Sequence, residues 1–151
     1  EFLQVVGEKA RMMRKFTDSI PLTTLSQQAL ARQDQYYNFY LKGALVCLGL
    51  DIALREWSKG KYGTVHLAQD LQREFGPGKP FKDETLFATI EKLSNPEIGT
   101  FLHRYLAEPG PLPLDEWLEK AGIVVDTSGV PTLMDKPTRA QERSRKWWLG
   151  H

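Results

Sequence analysis

The chain has 151 residues, 41% hydrophobic and 26% charged, a composition that gives no sign of a disordered chain or a membrane protein and leaves room for one well-buried core. With 20 Lys and Arg against 19 Asp and Glu the net charge is +1, so no whole-protein field draws it toward nucleic acid or anionic lipid. The lone Cys47 excludes an internal disulfide and a thiolate zinc site, and reads as a small core residue.

In chain order, Phe2, Val5, Val6, Met12, Met13 and Phe16 recur at helical spacing, predicting an amphipathic helix that ends near Thr17–Ser19 ahead of Pro21. Residues 23–34 are polar, with Leu25 and Leu30 as expected anchors of a loop carrying a short helix. The longest element follows, Tyr36 to Trp57. From Ala44 to Leu50 it is apolar or glycine on every side, which predicts a helix buried all round at the middle of the domain. The run is shorter than the roughly 20 residues that span a bilayer, so no membrane span is expected.

Thr64 is placed to cap a helix over 65–75, closed by Gly76-Pro77-Gly78. Asp83 caps another over 84–93. Ser94-Asn95-Pro96-Glu97 has the form of a capping box, with proline in the first turn, and starts a helix reaching Ala107. A last short helix over 114–121 ends at Gly122. The expected architecture is therefore all-α: six or seven helices around the helix at about 36–57, a compact unit over 1–122, and a linker or irregular tail over 123–151 in which Ile123–Val125 is strand-like and residues 126–131 read as a turn or linker.

Motifs for common chemistries are missing. There is no H-E-x-x-H, dinucleotide or phosphate loop, or serine elbow. His66, His103 and His151 stand apart from one another and read as surface histidines. The carboxylates Asp83, Glu84, Asp115 and Glu116 fall in first helical turns, where they complement the dipole. Lys136, Arg139, Arg143, Arg145 and Lys146 lie beside Trp147 and Trp148, offset by Asp135 and Glu142. This reads as a connector or a segment packed back through its tryptophans, with nucleic-acid binding unlikely. Tyr36 and Tyr40 share a helix face, whereas Tyr37 points elsewhere. Asp51, amid Leu50 and Ile52, requires a partner such as a lysine, an arginine or a helix N-terminus.

Four segments in order carry a resemblance: Tyr37–Gly63, with Tyr40-Leu41-Lys42-Gly43-Ala44-Leu45 and Leu50-Asp51 followed by Arg55; Phe81–Leu93; Phe101–Leu106; and Leu112–Ile123, with Leu112-Pro113-Leu114, Trp117-Leu118 and Gly122-Ile123. Together they resemble the C-terminal helical part of the glycyl aminopeptidase family, zinc metallopeptidases of the thermolysin-like superfamily that often carry a PDZ domain. The resemblance covers about Phe2 to Ile123. Leu41 stands where the family commonly has a polar residue, and the tail after Ile123 does not read as a PDZ domain.

The resemblance implies a zinc-activated water attacking a peptide carbonyl, with zinc ligands and general base supplied by a segment upstream of Glu1. It assigns Tyr40 as donor to the developing oxyanion, with Tyr37 as competitor. Lys42 and Gly43 then shape the site and allow close helix approach, and Asp51 and Arg55 are structural partners. The chain is expected to hold no cofactor of its own and to be inactive alone. Its partners would be the zinc-binding half and a peptide substrate, in the cytoplasm or periplasm. The alternative from the residues themselves is a non-catalytic helical protein-interaction module.

Overall fold

The computed structural model describes residues 1–149, with side chains through Trp147; the expectations for His151 and for the Trp148 side chain lie outside the described residues. The fold is all-α apart from one short hairpin. In order come α1 (Phe2–Met13), α2 (Leu22–Gln27), a 3₁₀ turn (Gln33–Gln35), α3 (Tyr36–Ser58), α4 (Thr64–Glu74), α5 (Asp83–Leu93) and α6 (Pro96–Leu102). A π turn (His103–Ala107), α7 (Leu114–Glu119), β1 (Ile123–Val125), β2 (Pro131–Leu133) and α8 (Arg139–Leu149) complete it.

The long helix α3 is the hub because its apolar residues serve two cores at once. Leu45, Val46 and Ile52 join Val6, Leu22, Leu25, Phe101, Trp117, Leu118 and Ile123 in the larger one. Leu54, fully buried, joins Leu67, Ile90, Ile98 and Leu102 in the smaller. Leu50 and Ala53 pack against both. Each such aliphatic chain taken fully out of water contributes about 1.5–3 kcal/mol. Gly49 is what lets α7 approach: the Trp117 ring occupies the space its Cβ would fill. Trp117 is held there by Tyr105 and Phe101, with ring centroids 4.9 and 5.4 Å away.

Burial of α3 is not uniform, which corrects the all-round expectation. Ala44 and Cys47 are exposed, so the run's lack of charge does not translate into a lack of solvent face. Gln33–Ser58 is, among the described residues, the one helical stretch long and apolar enough to cross a bilayer by length and composition, and half of its most apolar 18 residues are buried inside the domain. Such a helix is weak evidence of a span, since the core helix of a soluble protein passes the same test.

Several ends differ from expectation for local reasons. Helix α1 stops at Met13, short of the turn at 17–19. Leu25 is buried, but Leu30 is 87% exposed and anchors nothing. Asn95, not Ser94, caps α6: its Oδ1 accepts from the amides of Glu97 and Ile98 at 2.8 and 3.2 Å. The Ser94 hydroxyl instead donates back to Ile90 O at 2.6 Å. The stretch expected to continue α6 widens into the π turn, where Glu108 N reaches His103 O at 3.1 Å. The Thr23 hydroxyl donates to Leu106 O at 3.1 Å.

The strand-like Ile123–Val125 and the turn after it are present, but the rest of the tail is not irregular: it supplies a second strand and a helix. β1 and β2 pair antiparallel, Ile123 opposite Leu133. The turn is organised by Asp126 Oδ1, which accepts from the amides of Ser128 and Val130 at 2.8 and 2.9 Å and from the Ser128 hydroxyl at 2.6 Å. Ile123 lies in the larger core, and Pro131 lies against Gly7 of α1. Helix α8 starts in a Thr138–Gln141 capping box, the two residues exchanging bonds at 2.8 and 3.3 Å. It is tied to the end of α7 by Gln141 Nε2 on Glu119 O at 2.7 Å and Arg145 Nη2 on Gly122 O at 2.8 Å.

Candidate functional site: the tyrosine face of the long helix

The first two turns of α3 present Tyr36, Tyr37 and Tyr40 outward, at 39%, 68% and 55% exposure. Spacing of four residues puts Tyr36 and Tyr40 one above the other. Their hydroxyls lie 3.1 Å apart, and their rings meet edge-on with centroids at 5.1 Å. Tyr40 is also braced by Phe39 at 5.2 Å. Tyr37 meets Tyr36 edge-on with ring centroids at 6.2 Å, and among the described residues no ring contact or hydrogen bond joins Tyr37 to Tyr40. Tyr36 is the residue that sequence reasoning placed on this face without giving it a role; the i, i+4 spacing was its signal.

The Tyr36 phenol is held above its ordinary value, first by its hydrogen bond to Tyr40, then by the charge Tyr40 would carry when ionised, and last by burial. The pair therefore shares a proton-bearing hydrogen bond at neutral pH. A hydroxyl in such a pair can still turn its remaining donor or acceptor capacity toward solvent.

Behind the tyrosines the helix is anchored. Lys42 is 1% exposed; its Nζ donates to Gly110 O at 2.9 Å and pairs with Asp18 Oδ1 at 3.2 Å. Gly110 N in turn donates to Asp18 O at 2.8 Å, so one ammonium fastens the loop after α1 to the loop before α7. Asn38, also 1% exposed, donates to Thr17 O at 3.3 Å and Gln35 Oε1 at 3.0 Å. Lys42 thus supports the face from within rather than lining it. Gly43 does not serve close helix approach: a Cβ there would meet nothing within 4 Å. Gly49 and Gly63 are the glycines that do this work on α3 and its exit.

Asp51 finds the kind of partner its position required, both an arginine and a helix N-terminus. Arg55 Nε lies 2.6 Å from Oδ2, and Oδ1 accepts from Thr64 N at 2.7 Å and from the Thr64 hydroxyl at 2.9 Å. The carboxylate thereby stands at the N-terminus of α4, where the positive end of the helix favours it. Gly63, not Thr64, is the residue preceding that helix.

His66 and His103, the described histidines, are exposed. His66 Nδ1 accepts from Gly63 N at 3.1 Å, and its ring stacks on Tyr62. His103 meets Phe87 edge-on. Among the described residues no three His, Cys, Asp or Glu side chains converge to hold a metal ion. Cys47, two turns beyond Tyr40 on the same side of α3, is exposed rather than core, although neighbouring atoms still push its thiol above the ordinary value. No family model, no curated protein and no solved structure matches this chain.

Proposed function

We propose that this chain is the C-terminal helical part of a zinc aminopeptidase-type catalytic domain, inactive alone, in which Tyr40 donates its hydroxyl to the oxyanion forming on a peptide carbonyl. The described residues do not fit a zinc site of their own, so the metal and the general base would belong to a preceding segment of the same catalytic domain. What this chain contributes is a wall and one donor.

The observation that carries the reading is the state of Tyr40. A tyrosine in the core hides its ring and satisfies its hydroxyl on structural acceptors. Tyr40 instead points out of the domain's longest helix, with the exposed Tyr36 hydroxyl as its hydrogen-bond partner. The anchoring of Lys42 and Asn38 beneath it keeps that direction fixed, as preorganised stabilisation of developing charge requires. The uncharged strip from Tyr40 through Ala44 to Cys47 is suited to cover by the preceding half of the domain.

Loss of one such donor costs about 2.7–4 kcal/mol at the transition state, or roughly 10²–10³ in kcat. In the complete enzyme Tyr40→Phe should lower kcat by that factor with little change in KM, and Tyr37→Phe should leave both nearly unaltered. Unchanged kcat in Tyr40→Phe would remove the assignment. The same exposed strip favours a second reading, a helical module that docks a protein partner; there, Tyr40→Phe would leave catalysis untouched and weaken partner binding.

A further inference from the structure

Away from the tyrosine face, a cleft of about 600 Å³ opens where α8 crosses the C-terminal ends of α3 and α7. Its wall is the Trp147 indole, which lies against Gly60 in the left-handed turn that ends α3, and its floor includes Ile52 and Ala140. Its rim carries three cations, Lys59, Lys120 and Arg143, against one carboxylate, Glu56. Glu56 is already engaged by Lys120 at 2.6 Å. Lys59 and Arg143 make no ion pair among the described residues, so two positive charges face this cleft uncompensated in a chain whose net charge is only +1.

The polar groups around it are sorted by what they have left to give. Gln141 is held at both ends, its amide nitrogen on Glu119 O and its oxygen on Thr138 N. The Thr138 hydroxyl accepts from Gln141 N and keeps its proton for another acceptor. Ser144 also lines the cleft with its hydroxyl outside every intramolecular bond described above. Two unpaired cations, two available hydroxyl donors and an aromatic wall are complementary to an acceptor-rich anion on a flat apolar body. The size is that of a small-molecule site.

We infer that this cleft binds a small organic oxyanion, a carboxylate or phosphate monoester carried on an aromatic or similarly flat group, with Lys59 and Arg143 on the charge and Trp147 against the ring. The site is independent of the aminopeptidase reading and lies on the opposite end of α3 from Tyr40.

The test is a titration of the ¹⁵N-labelled chain with phenyl phosphate, benzoate and inorganic phosphate, with benzyl alcohol as the neutral control, followed by amide and indole NMR shifts. The Trp147 indole signal is identified by its loss in Trp147→Phe. Saturable shifts of the Trp147 indole and of Lys59, Arg143 and Ser144 amides are expected with at least one aromatic anion, and none with benzyl alcohol. Inorganic phosphate should bind more weakly at the same residues. The double variant Lys59→Asn, Arg143→Gln removes only exposed, unpaired charge, so its fold should persist, and its affinity should fall about tenfold, as two screened ionic contacts would give. No saturable shift with any of the three anions, equal affinity in the double variant, or shifts spread over unrelated basic residues would overturn the assignment.

Discussion

The junction of α3 with α4 supports a quantitative prediction. Asp51 and Arg55 are 11% and 18% exposed at their side chains, so the ion pair is nearly out of water. Asp51→Ala would leave the Arg55 guanidinium without this partner and Thr64 N without its acceptor. Breaking a buried pair by removing one partner costs about 3–5 kcal/mol, and loss of a helix cap about 1 kcal/mol. Because the pair keeps some solvent and the two losses share one carboxylate, the lower end applies, about 3 kcal/mol. For a domain of this size that is a fall in Tm of roughly 6–12 °C. Gly63→Ala probes the same joint from the other side: a Cβ there would lie 2.5 Å from Asp51 Oδ1 and 2.8 Å from Arg55 Nη2. It should destabilise on its own, yet cost less in the Asp51→Ala background, where the wedge has lost its neighbour. Urea unfolding followed by far-UV circular dichroism measures all four members of the cycle. A loss under about 1 kcal/mol for Asp51→Ala, or strict additivity with Gly63→Ala, would refute the view that this carboxylate holds the two helices together.

Gly49→Ala forces the Trp117 ring from its place against α3, and overpacking of this kind costs about 1–3 kcal/mol; near-UV circular dichroism should change together with the unfolding midpoint. Asp126 is held below the ordinary carboxylate value, chiefly by the Ser128 hydroxyl and then by the Val130 amide. A depressed value means the turn's contribution is complete above about pH 4, the unfolded value, and is lost as acid protonates the folded carboxylate. Amide exchange of Ser128 and Val130 should therefore rise in acid before that of the helical core, and Asp126→Asn should abolish the difference. Burial that raises the Cys47 thiol lowers its thiolate fraction, so iodoacetamide should alkylate it more slowly than a free thiol at pH 8, and more slowly still where a partner surface covers the strip on α3.

The fold was legible where a signal was local and redundant. Helical period, proline and glycine boundaries and the apolar run together placed α1, α3, α4, α5 and α7, and the demand that Asp51 be satisfied anticipated Arg55 and the start of α4. Caps were less legible because Ser94 and Asn95 are both good ones, and the choice turns on which side chain can reach two free amides at once. The tail was legible only in part: Ile123–Val125 read as strand-like and the tryptophan segment as packed back on the domain, whereas β2 and α8 owe their order to distant partners. Nothing within residues 123–149 announces that Pro131 will meet Gly7 or that Gly60 is the place where Trp147 packs back.

The face of α3 shows the limit most clearly. Composition gives Ala44 and Cys47 the same apolar character as Leu45 and Val46, so a reading by residue type buries all four. The structure separates them by angle around the helix: Leu45 and Val46 are in the core, and Ala44 and Cys47 continue the side that begins with Tyr36 and Tyr40. An apolar residue left in water by the domain's own packing costs about 25 cal/mol for each Å² that a partner surface would otherwise cover. The tyrosine face and the uncharged strip below it therefore belong to one argument. A hydroxyl pair at the top suits chemistry, the strip suits a covering surface, and both are accounted for at once if the preceding half of a catalytic domain lies against α3.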